Sequence, residues 1–405
     1  MQTQLTNPWI VLALLIYAAL VVTPLIAWIE AQTWQRRAAL VAVLFCVACS
    51  LPAFFSTPNG VIGDTLEIGR RWSTGGPTYW WQFFGGTDAN QGTGWNLLPL
   101  SWGWAALGTW KVERVIGLSW HCLLVVSVCA FPFVDAAAVP IVVAILCATR
   151  FGLWLQRHHL GSEILLQQAL LLSCLMYARR ENHWRWLAAV AMLVALLQYT
   201  YLAAAVTLSY PLIWLWRSWR TVGVYGMTAL LCVPLVISPS DFIARQVASP
   251  DSPVAFSWQR NLALVLSFWD ERYSREQSWA WSYPGAQHLP HLVCALIVCG
   301  IALALWSTEG RRWIATALVG LVPAMGFVGP VPSHRQMMCL IPLAVLAGWP
   351  MRVVARRVRA PWAFAASALA AAGIAYLGLC EWHNPAFWTF WFSHGDPGNF
   401  TRLTH

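Results

Sequence analysis

Long apolar runs, broken by short polar stretches rich in arginine, leave this chain few folds to choose from. Backbone amides taken into hydrocarbon must pair within their own segment or within a closed barrel, and runs this long and continuous fit helices. Apolar residues make up 59% of the chain and charged residues 10%, against roughly 45–50% and 25% in ordinary soluble domains. The pattern predicts an all-α integral membrane protein with segments near 8–29, 38–55, 115–134, 136–150, 162–178, 186–201, 203–216, 221–238, 289–307, 313–330, 336–350 and 361–380. That is about twelve transmembrane helices, several shorter than the roughly 20 residues that an upright span needs. They form one polytopic domain over 1–380, followed by a tail over 381–405.

Arginine sets the orientation. Arg36 and Arg37, Arg179, Arg180 and Arg185, Arg217 and Arg220, Arg311 and Arg312, and Arg352, Arg356, Arg357 and Arg359 all fall on one side of the alternation, which the positive-inside rule makes cytoplasmic. Two long polar loops, about 56–113 and 239–288, then lie outside with the tail, and interfacial helices are expected within them. The first run has no basic residue before it and no small-residue cleavage site after it, so it reads as a retained helix in a mature chain starting near Met1. Lys111 is the sole lysine, a bias that fits a GC-rich bacterial genome. The expected location is therefore the cell inner membrane, multi-pass, with the chemistry facing outward into the periplasm.

The formal charge of +9 is no argument for nucleic acid, because about half of the basic residues are already accounted for by topology. The others face outward against the rule: Arg70, Arg71, Lys111, Arg114, Arg150, Arg157, Arg245, Arg260, Arg272, Arg275, Arg335 and Arg402. They point either to an anionic ligand such as a lipid-borne phosphate, or to pairing with Asp64, Glu67, Glu113, Glu163, Asp270 and Glu271 and snorkelling to headgroups. The 11 cysteines fall almost entirely within the apolar segments and read as small hydrophobes, so no disulfide and no metal site is assigned. The 28 tryptophans crowd span ends and outer loops as interfacial belts do, although aromatic faces also stack on sugar rings.

Asp64 is the best-placed candidate for chemistry. It follows Val61, Ile62 and Gly63 a few residues after the second apolar segment, and Glu67, Arg70 and Arg71 come next. The spacing of Asp64 and Glu67 also satisfies a helix capping box. Arg157, His158 and His159, with Glu163, open the fifth segment on the outer side. Neighbouring histidines diverge on a helix, which argues against a two-histidine metal site. Asp88 reads as a turn former. No glycine-rich phosphate loop is present, so an outward enzyme has to draw on a donor delivered through the membrane, and a lipid-linked sugar phosphate is the obvious form.

Several stretches carry a resemblance. Asp64, then Trp95 through Leu100, then Glu113 through Ser119, look like the first outer loop and following helix of the GT-C glycosyltransferases, in the protein mannosyltransferase and lipid A aminoarabinose transferase branch. Gln198, Tyr199, Thr200 and Tyr201 resemble that branch's tyrosine-bearing span end. Asn261 to Pro290, with Tyr283, Pro284 and Gly285, is similar to its later outer loop, and Ser333 through Pro342 is similar to the start of its late helix.

The resemblance implies a GT-C-like fold and a polyprenyl-phosphate sugar as donor, with a glycan, lipid or protein of the envelope as acceptor. It makes Asp64 the general base with Glu67 beside it, assigns the donor phosphate to Arg335, His334, Arg157 and His158, and gives sugar or acceptor contacts to Tyr79, Trp80, Tyr201 and Tyr283. A departing phosphate gains negative charge that fixed arginines stabilise without a metal, so no cofactor and no divalent ion is indicated. Two departures stand out: Thr65 follows Asp64 where the branch often has Glu, and Gln336 follows Arg335 where it has Tyr. Another outer-face polyprenyl-linked transferase of the O-antigen ligase type is the nearer alternative, and a secondary transporter, which needs charged or broken helices at mid-membrane, the more distant one.

Overall fold

The computed structural model describes residues 8–55, 99, 103, 106–107, 111–157, 159–181, 183–200, 202–216, 218–237, 259, 262, 266, 269, 289–326 and 333–382. Among these residues the chain is helical throughout, with no strand. In order come α1 (Pro8–Glu30), α2 (Thr33–Phe55), α3 (Lys111–Ala130), α4 (Val139–Ala148), α5 (Arg150–Arg157), α6 (His159–Arg180) and α7 (Trp184–Thr200). A 3-10 helix, Leu202–Ser209, leads into α8 (Tyr210–Leu215), followed by α9 (Trp219–Ile237), α10 (His291–Ala304) and α11 (Thr308–Gly326). A second 3-10 helix, Ser333–Cys339, runs into α12 (Leu340–Ala355), and α13 (Ala360–Trp382) follows.

Among the described residues six helices are long and apolar enough to cross a membrane: α1, α2, α3, α6, α13, and α12 with the end of the preceding 3-10 helix. Others, including α4, α7 and α10, are apolar but shorter, so a count of about twelve spans rests on short helices as well as long ones. Prolines mark several starts. Val139 and Tyr210 are each followed by a proline in the first turn, where a missing N–H costs nothing.

The helices differ sharply in what surrounds them. α6 packs against α3 and α7, and α12 packs against α10, α11, α4 and α13; both are buried along most of their length. α1, α2 and α13 lie at the periphery, where Leu15, Leu44 and Leu369 are 62%, 70% and 77% exposed. Exposed leucines in that number are costly in water and fit hydrocarbon. Close backbone approach does part of the joining. A Cβ on Gly300 of α10 would lie 1.8 Å from the Leu346 carbonyl oxygen of α12, so only glycine lets these two helices meet.

One end of the bundle is fastened by charge. Arg352, near the end of α12, makes a bidentate pair with Glu309 at 2.7 and 2.9 Å and lies 3.9 Å from Asp135 in the α3–α4 turn. Its guanidinium also sits 4.6 Å from the Trp349 ring centroid. Nearby, Arg220 donates to the Ala178 carbonyl at 3.0 Å and Arg312 to that of Ile213 at 3.1 Å. Burial pushes the Glu309 carboxyl up, but the Arg352 bonds and the charges of Arg352, Arg179 and Arg180 bring it below its ordinary value. Arginines from separate clusters in the sequence thus gather at one end, as the alternation of segments requires.

Candidate functional site

The opposite half of the bundle has a polar interior built around α6. Glu163, Gln167 and Gln168 occupy successive turns of a mostly apolar helix, and all three are 0% exposed. Glu163 accepts a hydrogen bond from Gln167 Nε2 at 3.0 Å, and Gln167 Oε1 accepts one from the Thr200 hydroxyl of α7 at 3.1 Å. Gln168 uses both amide hydrogens, donating to the Tyr210 hydroxyl and to the Met338 carbonyl at 2.7 Å each. Polar groups inside a helical membrane bundle are concentrated where helices must be held in register or where function requires them. Here they join α6 to α7, α8 and the second 3-10 helix.

The tyrosine-rich span end has a definite structural task. Gln198 Nε2 donates to the Val194 carbonyl, the Ala204 carbonyl and the Thr207 hydroxyl at 3.1, 3.4 and 3.2 Å, closing the reversal from α7 into the first 3-10 helix. Tyr199 donates from its hydroxyl to the Leu231 carbonyl at 2.8 Å. The position that follows, Tyr201, lies outside the described residues, as do Asp64, Glu67, Tyr79, Trp80, His158 and Tyr283. Arg157 ends α5, and His334 and Arg335 sit within the second 3-10 helix; for these three the backbone alone is described.

Backbone placement brings several of these positions to one level. The 3-10 helix Ser333–Cys339 touches α6 and the 3-10 helix Leu202–Ser209, and its Met338 is level with Gln168 through their hydrogen bond. Arg335 precedes Met338 by three residues of about 2.0 Å rise, and Glu163 precedes Gln168 by five of about 1.5 Å. Both lie one to two turns nearer the same end, close to where α7 finishes at Thr200. α5, ending at Arg157, packs on α3 and α6 at that end too.

Glu113 and Arg114 are each only 2% exposed, because α3 turns its first residues into the bundle against α1, α2 and α6. Glu163 is likewise interior and accepts a hydrogen bond from Gln167. The sequence reading singles out neither Gln167, Gln168 nor Tyr210. Paired glutamines in an otherwise apolar helix were the available signal.

A second polar group lies deeper, where α2, α3 and α4 meet. Cys46, His121 and Cys147 are each 0% exposed, and a donor atom from each lies within 4.8 Å of the others. His121 Nε2 faces the Leu146 carbonyl at 3.1 Å and Nδ1 faces the Ser162 hydroxyl at 3.1 Å. All three residues fall in apolar helices, so the sequence shows only small hydrophobes and one histidine.

No family model matches the chain, and a search of curated proteins finds no matching relative.

Proposed function

We propose that this protein is a glycosyltransferase that moves a sugar from a polyprenyl-phosphate donor to an envelope acceptor at the outer face of the cytoplasmic membrane. In this reading the bundle spans about twelve times, with the Arg352–Glu309 end in the cytoplasm. Asp64 takes the proton of the acceptor hydroxyl or amine as it attacks the anomeric carbon. Arg335, with His334, Arg157 and His158, holds the phosphate as it leaves with growing negative charge.

The observation that carries the reading is convergence. The backbone positions of Arg157, His334 and Arg335 and the end of α7 before Tyr201 share one end of the bundle, which is the end from which the loop bearing Asp64 enters α3 at Lys111. A phosphate ligand needs cations from separate segments, and in this reading Arg157 and Arg335 would supply them.

The test is transfer from polyprenyl-phosphate sugars, with the lipid-phosphate product measured in membranes and with purified protein. Asp64→Asn retains capping ability and should lower transfer about a hundredfold or more, the scale of a lost general base, with unchanged melting. Arg335→Ala should impair donor use more than acceptor use. Full activity in Asp64→Asn with loss in Arg335→Ala would move the assignment to the O-antigen ligase type. No transfer from any polyprenyl-linked sugar by the wild type would end the proposal.

A further inference from the structure

The Cys46, His121 and Cys147 group is independent of the transfer site and has the composition of a metal centre. Its ligands come from three helices, so it is not the product of a local sequence motif. Two sulfurs and an imidazole nitrogen form a soft donor set, of the kind that takes zinc or copper(I) and discriminates against magnesium and calcium. Their mutual separation of at most 4.8 Å compares with about 3.8 Å between sulfurs around a tetrahedral zinc with 2.3 Å bonds. Contraction by about an ångström is within the reach of side-chain rotation alone.

The surroundings favour the same conclusion. Nε2 of His121 faces a carbonyl oxygen, which can only accept, so that nitrogen carries the hydrogen and Nδ1 holds the lone pair. The ring is held at both nitrogens, by the Leu146 carbonyl and the Ser162 hydroxyl, and metal-binding histidines are usually oriented by such a bond at the nitrogen remote from the metal. The hydroxyl now beside Nδ1, that of Ser162, also lies 3.1 Å from the Leu155 carbonyl and can turn to it. Charge selects among soft cations. A divalent ion with two thiolates and a neutral imidazole sums to zero, the least costly state in a water-excluded interior, whereas copper(I) leaves a net negative charge there.

We propose that Cys46, His121 and Cys147 bind one zinc-class divalent cation that staples α2, α3 and α4 together inside the bundle. Binding converts two thiols to thiolates and releases two protons, forming two metal–sulfur bonds and one metal–nitrogen bond with no change of oxidation state, and leaves the fourth tetrahedral position to a neutral oxygen such as the Ser162 hydroxyl, 3.1 Å from the imidazole. The ion is structural, since no described residue of the transfer site lies among its ligands.

The experiment is metal analysis of full-length protein purified without chelator from zinc-supplemented cells, with cobalt substitution as a spectroscopic reading. The expected result is about one zinc per chain and, after exchange, a near-ultraviolet sulfur-to-cobalt absorption. Cys147→Ser should lose about half of that absorption, and Cys46→Ser with Cys147→Ser all of it, while replacement of the exposed Cys299 leaves it intact. Wild type that holds neither zinc nor cobalt overturns the proposal whatever the variants do. So does metal retained by the double variant, or a Cys46–Cys147 disulfide found in the native protein by mass spectrometry.

Discussion

Gln168→Leu isolates the energetic value of the polar interior. The side chains are close in size, so the substitution leaves little cavity, but it removes the donors of two 2.7 Å bonds, to the Tyr210 hydroxyl and the Met338 carbonyl. Hydrogen bonds between helices in membrane proteins contribute about 0.6 kcal/mol on average and up to about 1.7. Two of them give a loss of about 1–3 kcal/mol. Part of that is recoverable, because the Tyr210 hydroxyl already lies 3.4 Å from the same Met338 oxygen and can shorten its bond. The decisive measurement is therefore a double-mutant cycle with Tyr210→Phe, read by reversible unfolding in mixed micelles. Coupling of about 0.6–1.7 kcal/mol is expected. Additivity within about 0.3 kcal/mol would refute the claim that these residues act as one unit. Because Met338 anchors the turn bearing His334 and Arg335, Gln168→Leu should also raise the donor concentration needed for transfer, while Ser173→Ala on the same helix should not.

Three further outcomes follow. Gly300→Ala places a methyl group 1.8 Å from the Leu346 carbonyl oxygen, and since backbone has to move, a melting study should find it destabilised by about 1–3 kcal/mol or more. With reactive native thiols replaced, an impermeant thiol reagent should label Asp88→Cys from outside and Arg356→Cys only from the cytoplasmic side; the reverse pattern overturns the orientation. Glu309 has a lowered pKa in the folded protein, so its pairing stabilises the fold above the ordinary value of 4.5 and is lost as pH falls through the folded value. Glu309→Gln should accordingly be less stable than wild type at neutral pH and converge with it in acid, as followed by unfolding across pH.

What the sequence made legible was local. Apolar runs near 162–178 and 361–380 correspond to α6 (His159–Arg180) and α13 (Ala360–Trp382), because a long run of helix-forming apolar residues needs no partner to declare itself. The segment near 136–150 contracts to Val139–Ala148 because Asp135 accepts a bond from the Ala137 amide at 3.1 Å and holds a turn before it. Interior and exterior were not legible. Glu163 opens the fifth segment in the sequence and is fully buried in the fold, since burial depends on which helices surround α6, and hydropathy does not encode neighbours. Gln168 meets Met338 across a sequence separation of 170, and His121 meets Cys147 from another helix. Contacts of that range leave no periodic trace. The Asp64 loop is legible only as a polar insertion with a well-placed carboxylate, because loop residues carry their roles in chemistry and not in pattern.

The glycine contact between α10 and α12 makes a lever of the pair. With the Gly300 Cα lodged against the Leu346 carbonyl, neither helix can slide or roll without carrying the other, and the shared point lies about 13 Å along α10 from its first residue. α10 begins where the second long loop rejoins the bundle, and α12 begins where the turn carrying Arg335 ends. A displacement at the first turn of α10 would thus be handed to the backbone at Arg335 as movement of a stiff rod. Under the proposed function, acceptor capture outside and donor grip within would then share one moving part.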